Sequence, residues 1–496
     1  MKKTGMILFI LLLMLSLSTG CSNQENSITE SNNTTDNNLE QISNKASQSD
    51  ADMFTDRDYR TAYDENESIL IHLNGDSATA SSNSVKISGS TVQITEEATY
   101  IISGTLNNGI ILVDAEDTAK LQIVLNGVSI TNESSAALYI LSADKVFVTL
   151  AEGTENTLAN GGSFIAIDEN NIDAVVFSKQ DLTFNGTGNL IITSPNGNGI
   201  VGKDDLVFTG GNYTINTSSH GIEANDSVRI TGTTQITVDA GKDGIHCENN
   251  DDTSLGFIYI SAGTLNIEAE GDGISASAYM QIVDGSFSVL AGGGSENGSS
   301  QSSNTWGAFM GGDMPPGQQS SSNTATTEDS TSMKGIKTSG TLNIFSGSFQ
   351  INSSDDCIHS NSSITIYGGT FELASGDDAV HADETLTVTA CDMNISESYE
   401  GLEALHIDIQ GGTIKLVATD DGLNAAGGTD SSGTIGGRDG MFGGGRGGMG
   451  GMNSSSNGTI VISGGDLYIN ASGDGIDANG SLEIGGGYTV IVGPTQ

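Results

Sequence analysis

The sequence predicts an all-β protein folded as one single-stranded, right-handed parallel β-helix, a solenoid with rungs of about 22 residues and three short strands per rung. The composition combines 67 glycines with only 4 prolines, as in chains of short strands joined by tight turns. Stretches such as VKISGSTVQIT alternate apolar and polar residues, which is the period of a half-buried strand. A third observation, an internal repeat, sets the architecture.

Each repeat contains an aliphatic residue that follows a polar turn, as in GKDGIHCE and SGDGIDAN. Consecutive aliphatic positions are 22, 23, 29, 62, 22, 22, 22, 21 and 53 residues apart, and each of the three long spacings contains an insertion. We expect like residues to stack about 4.8 Å apart and to form an inward apolar column. The aliphatic positions are Ile200, Ile222, Ile245, Ile274, Ile336, Ile358, Val380, Leu402, Leu423 and Ile476.

A glycine usually stands directly before this aliphatic residue, for example Gly244 and Gly273. We expect it to adopt a backbone conformation that a sharp corner needs. Cys357 occupies the same position in its repeat, which favours a buried thiol over a catalytic one.

The amino terminus resembles a lipoprotein signal. Lys2 and Lys3 precede an apolar run over residues 6–17, and Gly20-Cys21 follows it directly. The resemblance implies lipidation of Cys21 and a lipid-anchored protein on the extracellular face of the cell membrane. The predicted organisation is a signal peptide at 1–21, a disordered Ser/Asn-rich tether at 22–63, and a β-helix at 64–496 with flexible insertions at about 292–332 and 427–457.

The charge is strongly acidic, with 17 Lys plus Arg against 62 Asp plus Glu and a formal net charge of −45. Such a surface repels nucleic acid and anionic lipid and attracts cations. We therefore expect no nucleic-acid partner, membrane contact through the lipid anchor only, and a monomer.

An acidic residue usually stands two positions before the aliphatic residue, and some repeats carry a second acid beside it. Stacked carboxylates would repel by roughly 3 kcal/mol per step at an effective dielectric near 20. Calcium between rungs would neutralise them, and it suits this spacing better than magnesium. Alternatively, these are turn residues that face water. The candidate calcium ligands are Asp243, Asp272, Asp355, Asp356, Asp377, Asp378, Glu400, Asp420, Asp421 and Asp474.

His359 and His381 each follow the aliphatic residue and lie one rung apart, so their rings are expected to stack. Paired imidazoles could bind zinc, although outward-facing structural histidines are the commoner case. Trp306 and Phe309 lie in the first insertion and Phe442 in the second. Such aromatic rings could contact a sugar, or form a surface patch without a partner.

From about residue 64 onward the chain resembles the bacterial carbohydrate-binding β-helix proteins, whose fold is related to that of pectate lyases. The resemblance rests on ILIHLNG, the long segment beginning TYIISGTLNNGIILV, the repeated GDGI rungs, the Gly/Met-rich insertion and GGGYTVIVGPT. It implies calcium binding and a polysaccharide partner of the plant cell-wall type, cellulose or polygalacturonate, without established catalysis. It also implies further strands after GPT, so the last rung is expected to be exposed.

The leading function is therefore a calcium-dependent, non-catalytic polysaccharide-binding protein. A calcium-dependent polysaccharide lyase is the alternative, since elimination needs a basic side chain and Lys242, Lys334 and Lys337 are available. A glycoside hydrolase stays open because carboxylates are abundant. A structural surface stalk is the remaining class.

Overall fold

The computed structural model describes residues 47–298, 332–426 and 457–493. Within these ranges the protein consists almost entirely of strands that pair in parallel along one continuous coil. The predicted all-β parallel β-helix is confirmed. None of the helices in these ranges is long and apolar enough to span a bilayer.

The first part of the chain holds one short helix, the amino-terminal strands and the first full rungs. These elements are α1 (Asp50–Met53), β1 (Ile69–Gly75), β2 (Ala78–Ala80), β3 (Val85–Ser88), β4 (Thr91–Ile94), β5 (Thr99–Leu106), β6 (Ile110–Asp114), β7 (Lys120–Asn132), β8 (Leu138–Ser142), β9 (Lys145–Leu150), β10 (Glu155–Asn160), β11 (Ala174–Ser178), β12 (Asp181–Gly186), β13 (Asn189–Ser194), β14 (Asn198–Gly202), β15 (Asp205–Phe208), β16 (Asn212–Thr217), β17 (Ile222–Ala224), β18 (Ser227–Ile230) and β19 (Gln235–Ala240).

The remaining rungs follow, with a 3-10 turn at Ser295–Asn297 after β25. These strands are β20 (Ile245–Cys247), β21 (Phe257–Ile260), β22 (Thr264–Ala269), β23 (Ile274–Ala276), β24 (Met280–Ile282), β25 (Ser286–Ala291), β26 (Ile336–Thr338), β27 (Leu342–Ile344), β28 (Ser348–Ser353), β29 (Ile358–Ser360), β30 (Ser363–Ile366), β31 (Thr370–Ser375), β32 (Val380–Val388), β33 (Asp392–Glu397), β34 (Leu402–Ile409), β35 (Thr413–Ala418), β36 (Leu423–Ala425), β37 (Thr459–Ile462), β38 (Asp466–Ala471), β39 (Ile476–Ala478), β40 (Ser481–Ile484) and β41 (Tyr488–Val492).

Three parallel sheets form the walls of the coil, and each strand pairs with its equivalent one rung on. The first sheet runs from β4 through β17 and β20 to β39, the second from β9 through β18 and β21 to β40, and the third from β1 through β19 and β22 to β41. Antiparallel pairing occurs at the start, where β1 pairs with β2 and β3 with β4. The amino-terminal end is therefore closed by hairpins.

The predicted register of the first sheet is observed. Ile245 pairs with Ile274, Ile274 with Ile336, and Ile336 with Ile358, across spacings of very different length. These side chains are fully buried. The insertions therefore leave the coil between rungs without changing how the rungs stack.

The third sheet contributes an aromatic column to the core. The rings of Phe287 and Phe349 are stacked with centroids 4.7 Å apart, and Phe349 and Phe371 have the same spacing. All three side chains are buried. At the last described rung the core is uncovered, since Leu482 and Ile484 are 47% and 54% exposed.

The explanation expected for the repeated glycines is wrong. Gly244 and Gly273 do not have positive φ angles. A Cβ atom on Gly244 would instead clash with Ile267 and lie 2.7 Å from the carbonyl oxygen of Gly273. Close approach of the next rung, and not backbone conformation, therefore favours glycine at this position.

Residues 47–60, here called the strap, lie against the outer face of the second sheet. Gln48 exchanges hydrogen bonds of 2.8 and 2.9 Å with Gln281 of β24, and Arg57 donates to the carbonyl oxygen of Lys120 in β7. Met53 and Phe54 are buried against this sheet. The strap therefore runs along the coil axis across several rungs, against the direction of rung order.

Asp58 is the most deeply buried polar residue of the strap, with 1% of its surface exposed. Its Oδ1 accepts a 2.6 Å hydrogen bond from Thr183 and lies 2.9 Å from Lys145 Nζ. The disordered tether predicted for residues 22–63 thus does not extend to residue 63, because strap side chains find apolar and charged partners on the coil. Residues 22–46 lie outside the described part of the chain.

Candidate functional site

Two neighbouring columns of polar side chains flank the inward aliphatic column of the first sheet. We call them the ladder column, two positions before each aliphatic residue, and the flanking column, one position after it. The ladder column contains Asn198, His220, Asp243, Asp272, Lys334, Asp356, Asp378, Glu400, Asp421 and Asp474. The flanking column contains Glu223, His246, Ser275, Lys337, His359, His381, Glu403, Asn424 and Asp477.

The ladder carboxylates are tied to the backbone of the next rung. Oδ1 of Asp243 accepts a 2.9 Å hydrogen bond from the backbone N–H of Asp272, and Asp356 accepts one of 3.0 Å from Asp378. Asp421 receives the same bond from Asp474 at 2.6 Å. These side chains therefore do not all face water, and half of each carboxylate is satisfied within the coil.

Two lysines neutralise part of the ladder, and a buried imidazole is hydrogen-bonded to it. Nζ of Lys334 lies 2.7 Å from Oδ2 of Asp356, and Nδ1 of His359 lies 2.8 Å from the same oxygen. Burial alone would raise the pKa of Asp356, but Lys334 and His359 hold that pKa well below its usual range. Lys337 lies 3.4 Å from Oδ2 of Asp272 in the same way. The repulsion expected between stacked carboxylates is thus reduced by cations of the protein itself.

A buried acid–imidazole cluster follows one rung later. Nδ1 of His381 lies 3.1 Å from both Asp378 Oδ2 and Glu403 Oε2. Burial lowers the pKa of His381, but these hydrogen bonds raise it well above its usual value, while burial and the charge of Glu403 raise the pKa of Asp378. Burial and the neighbouring Asp378 raise the pKa of Glu400 to about 9. These shifts favour the protonated forms of His381 and Glu400 at neutral pH.

His359 and His381 stack as predicted, with ring centroids 5.0 Å apart. The expectation that they face outward is wrong, since each is only 1% exposed. Their hydrogen bonds to carboxylates stabilise them in the wall.

The doubled acids form a compact group of oxygen donors. Asp355, Asp356 and Asp377 each place a carboxylate oxygen within 4.8 Å of the others. Calcium prefers oxygen ligands, so this set fits it better than the histidine-containing groups do. Nζ of Lys334 lies 3.2 Å from Oδ1 of Asp355 and occupies part of the same space.

The other candidate calcium ligands have partners of their own. Asp243 and Asp378 contact histidines, and the amide of Asn424 donates a 2.7 Å hydrogen bond to Glu400. Tyr399 donates a 2.6 Å hydrogen bond to Asp420. The predicted residues therefore lie in one stack, as expected. Because their partners differ, they are not ten equivalent calcium ligands.

A cleft of about 950 Å³ opens beside the lower part of this wall. It spans rungs on both sides of the first insertion, and its polar lining carries both signs of charge. Lys242 and Lys337 line it, whereas Lys334 is 2% exposed and lies in the wall. The lining residues are His220, Gly241, Lys242, Asp243, His246, Glu248, Glu270, Asp272, Ser275, Ala276, Ser277, Gly292, Gly293, Asn297, Ser332, Met333, Lys337 and Ser339.

A family model described as carbohydrate-binding domain-containing protein matches residues 88–379. The chain belongs to this carbohydrate-binding family. The matched range includes every rung that lines the cleft.

Two further proteins are similar to this chain. A carbohydrate-binding domain-containing protein of Acetivibrio thermocellus is 36% identical over 211 residues, which is 42% of this chain and 73% of the relative. A solved structure described as the polysaccharide lyase-like protein from C. thermocellum, gadolinium derivative, shows 36% identity and covers 46% of this chain and 92% of its own, with a TM-score of 0.44.

The sequence analysis did not identify every polar residue that contributes to this wall. Glu403 contacts His381, and His220 and His246 both contact Oδ2 of Asp243. One signal was available, because His246 occupies the repeat position of His359 and His381. The proposed lipidation site Cys21 and the proposed sugar-contacting residues Trp306, Phe309 and Phe442 lie outside the described residues.

Proposed function

We propose that the protein is a lipid-anchored cell-surface protein that binds extracellular polysaccharide non-catalytically in the cleft beside the ladder column. The observation that carries this proposal is the cleft itself, which lies within the family-matched range and is large enough for several sugar units. Its carboxylate, imidazole, amide and hydroxyl groups match the hydrogen-bonding groups of sugars.

Lys242 and Lys337 favour an acidic polymer such as polygalacturonate. They lie in the cleft of a chain with a net charge of −45, so they offer local attraction where the whole surface repels an anion. Neutral cellulose requires no such attraction, and for that ligand the hydroxyl and amide groups would dominate.

Binding to oligogalacturonides and cello-oligosaccharides by isothermal titration tests the proposal. Lys242→Ala and Lys337→Ala should each weaken oligogalacturonide binding by about tenfold, equivalent to about 1.4 kcal/mol. Lys415→Ala, an exposed lysine on the third sheet, is the matched control. Absence of binding to either sugar class would instead support a structural stalk.

Calcium dependence forms a second part of the proposal, supported by the oxygen group of Asp355, Asp356 and Asp377. Calcium there would bridge two rungs and add positive charge above the cleft's acidic wall. Asp355→Asn combined with Asp377→Asn should abolish calcium binding heat and the calcium-induced rise in melting temperature. The exposed Asp466→Asn should change neither, and an unchanged calcium titration in the double variant would remove this part of the proposal.

The surface location rests on the sequence of residues 1–21. Radiolabelled palmitate should be incorporated into the wild-type protein in cells, and Cys21→Ser should lose the label and appear in the medium. A label that persists in Cys21→Ser would contradict the lipid anchor at this position.

A polysaccharide lyase is the second candidate, favoured by the presence of Lys242 and Lys337 in the cleft. Elimination needs a basic group within hydrogen-bond reach of the proton that it removes. Ultraviolet absorbance of the unsaturated product, followed with polygalacturonate and calcium, separates the two functions. A signal lost in Lys337→Ala and kept in Lys415→Ala would establish the lyase.

A further inference from the structure

Three side chains on the wall of the cleft form a group with mixed nitrogen and oxygen donors. Oδ2 of Asp243 lies 2.7 Å from Nδ1 of His246 and 3.6 Å from Nδ1 of His220. The two imidazole rings lie against each other with centroids 4.6 Å apart. Their donor atoms and the carboxylate oxygen all lie within 4.8 Å of one another.

The two histidines differ in how closely they are hydrogen-bonded to Asp243. Oδ1 of Asp243 is already used by the backbone N–H of Asp272, and His246 alone suffices as a partner for Oδ2. His220 adds a second imidazole, whose Nδ1 accepts a long 3.3 Å hydrogen bond from the backbone N–H of Asp243. Metal binding would replace this long hydrogen bond, because the single lone pair of Nδ1 either accepts a hydrogen bond or binds a metal.

The spacing of the donors suits a small tetrahedral ion. Zinc binds imidazole nitrogen and carboxylate oxygen at about 2.0–2.2 Å, so neighbouring ligands in a tetrahedron are about 3.4 Å apart. The two distances from Asp243 Oδ2, 2.7 and 3.6 Å, lie on either side of that value. Small side-chain rotations would therefore assemble three ligands without moving the rungs.

The chemistry of the donors selects the class of metal. Two imidazoles and one carboxylate suit zinc and its first-row neighbours, whereas calcium and magnesium prefer oxygen ligands alone. We infer that His220, Asp243 and His246 form a transition-metal site, with zinc as the expected ion, on the wall of the cleft.

The site leaves a coordination position toward the cleft. The side chains of His220, Asp243 and His246 are 16%, 12% and 22% exposed, so the metal would be reached from the cleft and not sealed within the coil. Three protein ligands leave the fourth position to water or to an oxygen of a bound molecule.

A second layer of contacts supports the ligands. Oε2 of Glu248 lies 3.4 Å from Nε2 of His246, the arrangement in which a carboxylate orients a metal-binding imidazole. Glu223 lies beside His246 one rung before it and adds negative charge near the ion. Metal binding at this site does not depend on whether the cleft binds polysaccharide.

The test uses the full-length protein after removal of metal with EDTA. Titration calorimetry with zinc should show one ion bound, and cobalt should give the intense visible absorption of a four-coordinate complex. His220→Ala, His246→Ala and Asp243→Asn should each lose that ion and the cobalt spectrum, with the circular dichroism spectrum unchanged.

His72→Ala and His406→Ala are the matched controls, because both histidines are exposed and lie away from the cleft. Both should keep the wild-type zinc affinity. The buried group of Asp356, His359 and His381 is the competing location. Zinc binding that survives His220→Ala and His246→Ala, or no zinc binding by the wild type, would overturn the assignment.

Discussion

The ammonium group of Lys334 lies 2.7 Å from Oδ2 of Asp356 inside the first wall of the coil. The two residues are 2% and 0% exposed. A lysine thus stands in a column of carboxylates and carries the charge that compensates its neighbours.

Replacing Lys334 by methionine should destabilise the protein by about 3–5 kcal/mol, because the buried carboxylate of Asp356 loses its ammonium partner and keeps only the His359 imidazole. Urea denaturation followed by circular dichroism measures the change. Lys415→Met, at an exposed site, should change stability by less than about 0.5 kcal/mol. Lys334→Met combined with Asp356→Asn should recover part of the loss, and a fully additive double variant would show that the two groups are not coupled.

Glu400 should make stability fall as the pH rises. Its pKa is raised to about 9 in the folded protein, so between the ordinary value of 4.5 and about 9 the folded state binds more protons than the unfolded state. Stability is therefore lost across that range. Glu400→Gln should remove this loss, and its melting temperature relative to wild type should increase between pH 5 and pH 9. The exposed Glu268→Gln should show no such trend.

Phe349 should be a sensitive point of the core, because it stacks on Phe287 below and Phe371 above. Phe349→Ala should cost about 3–5 kcal/mol through lost burial and the cavity that remains. Phe349→Leu fills part of the space and should cost less. Equal losses in the two variants, measured by urea denaturation, would mean that cavity volume does not determine the effect.

Asp58 should hold the strap on the coil. Asp58→Ala removes its contacts with Thr183 and Lys145 and leaves the ammonium without this carboxylate. We expect faster proteolytic cleavage within residues 47–60 and a loss of about 3 kcal/mol in stability. Asp56→Ala, an exposed neighbour, is the control. If both variants are cleaved at the wild-type rate, the strap is held mainly by Met53 and Phe54.

The sequence was sufficient to predict the β-helix because each rung repeats the same pattern of polar, glycine and aliphatic positions. Ile245, Ile274 and Ile336 could be aligned despite their insertions, and their pairing follows from that alignment. The strap could not be predicted in this way. Met53 and Phe54 belong to no repeat, and their burial depends on contacts with residues about 150 to 225 positions away.

The repeat predicted which side chains of the candidate site lie above one another. It did not predict which of them form ion pairs or hydrogen bonds. The positions of Asp356 and Asp378 follow from the repeat, whereas the ion pair between Lys334 and Asp356 depends on side-chain direction. The histidine pair around Asp243 was missed for a similar reason. His220 lies in the ladder column and His246 in the flanking column, so no single repeat position contains both.

The in-register pairing of Ile336 with Ile358, and of Ile358 with Val380, restricts how such a chain can change in length. Loss of one residue within a strand would exchange inward and outward side chains for the remainder of that strand. Duplication of a complete turn recreates the edge on which the next turn is built. Genetic duplication can therefore lengthen the molecule only by whole turns. Each added turn contributes one more residue to each polar column of the first sheet.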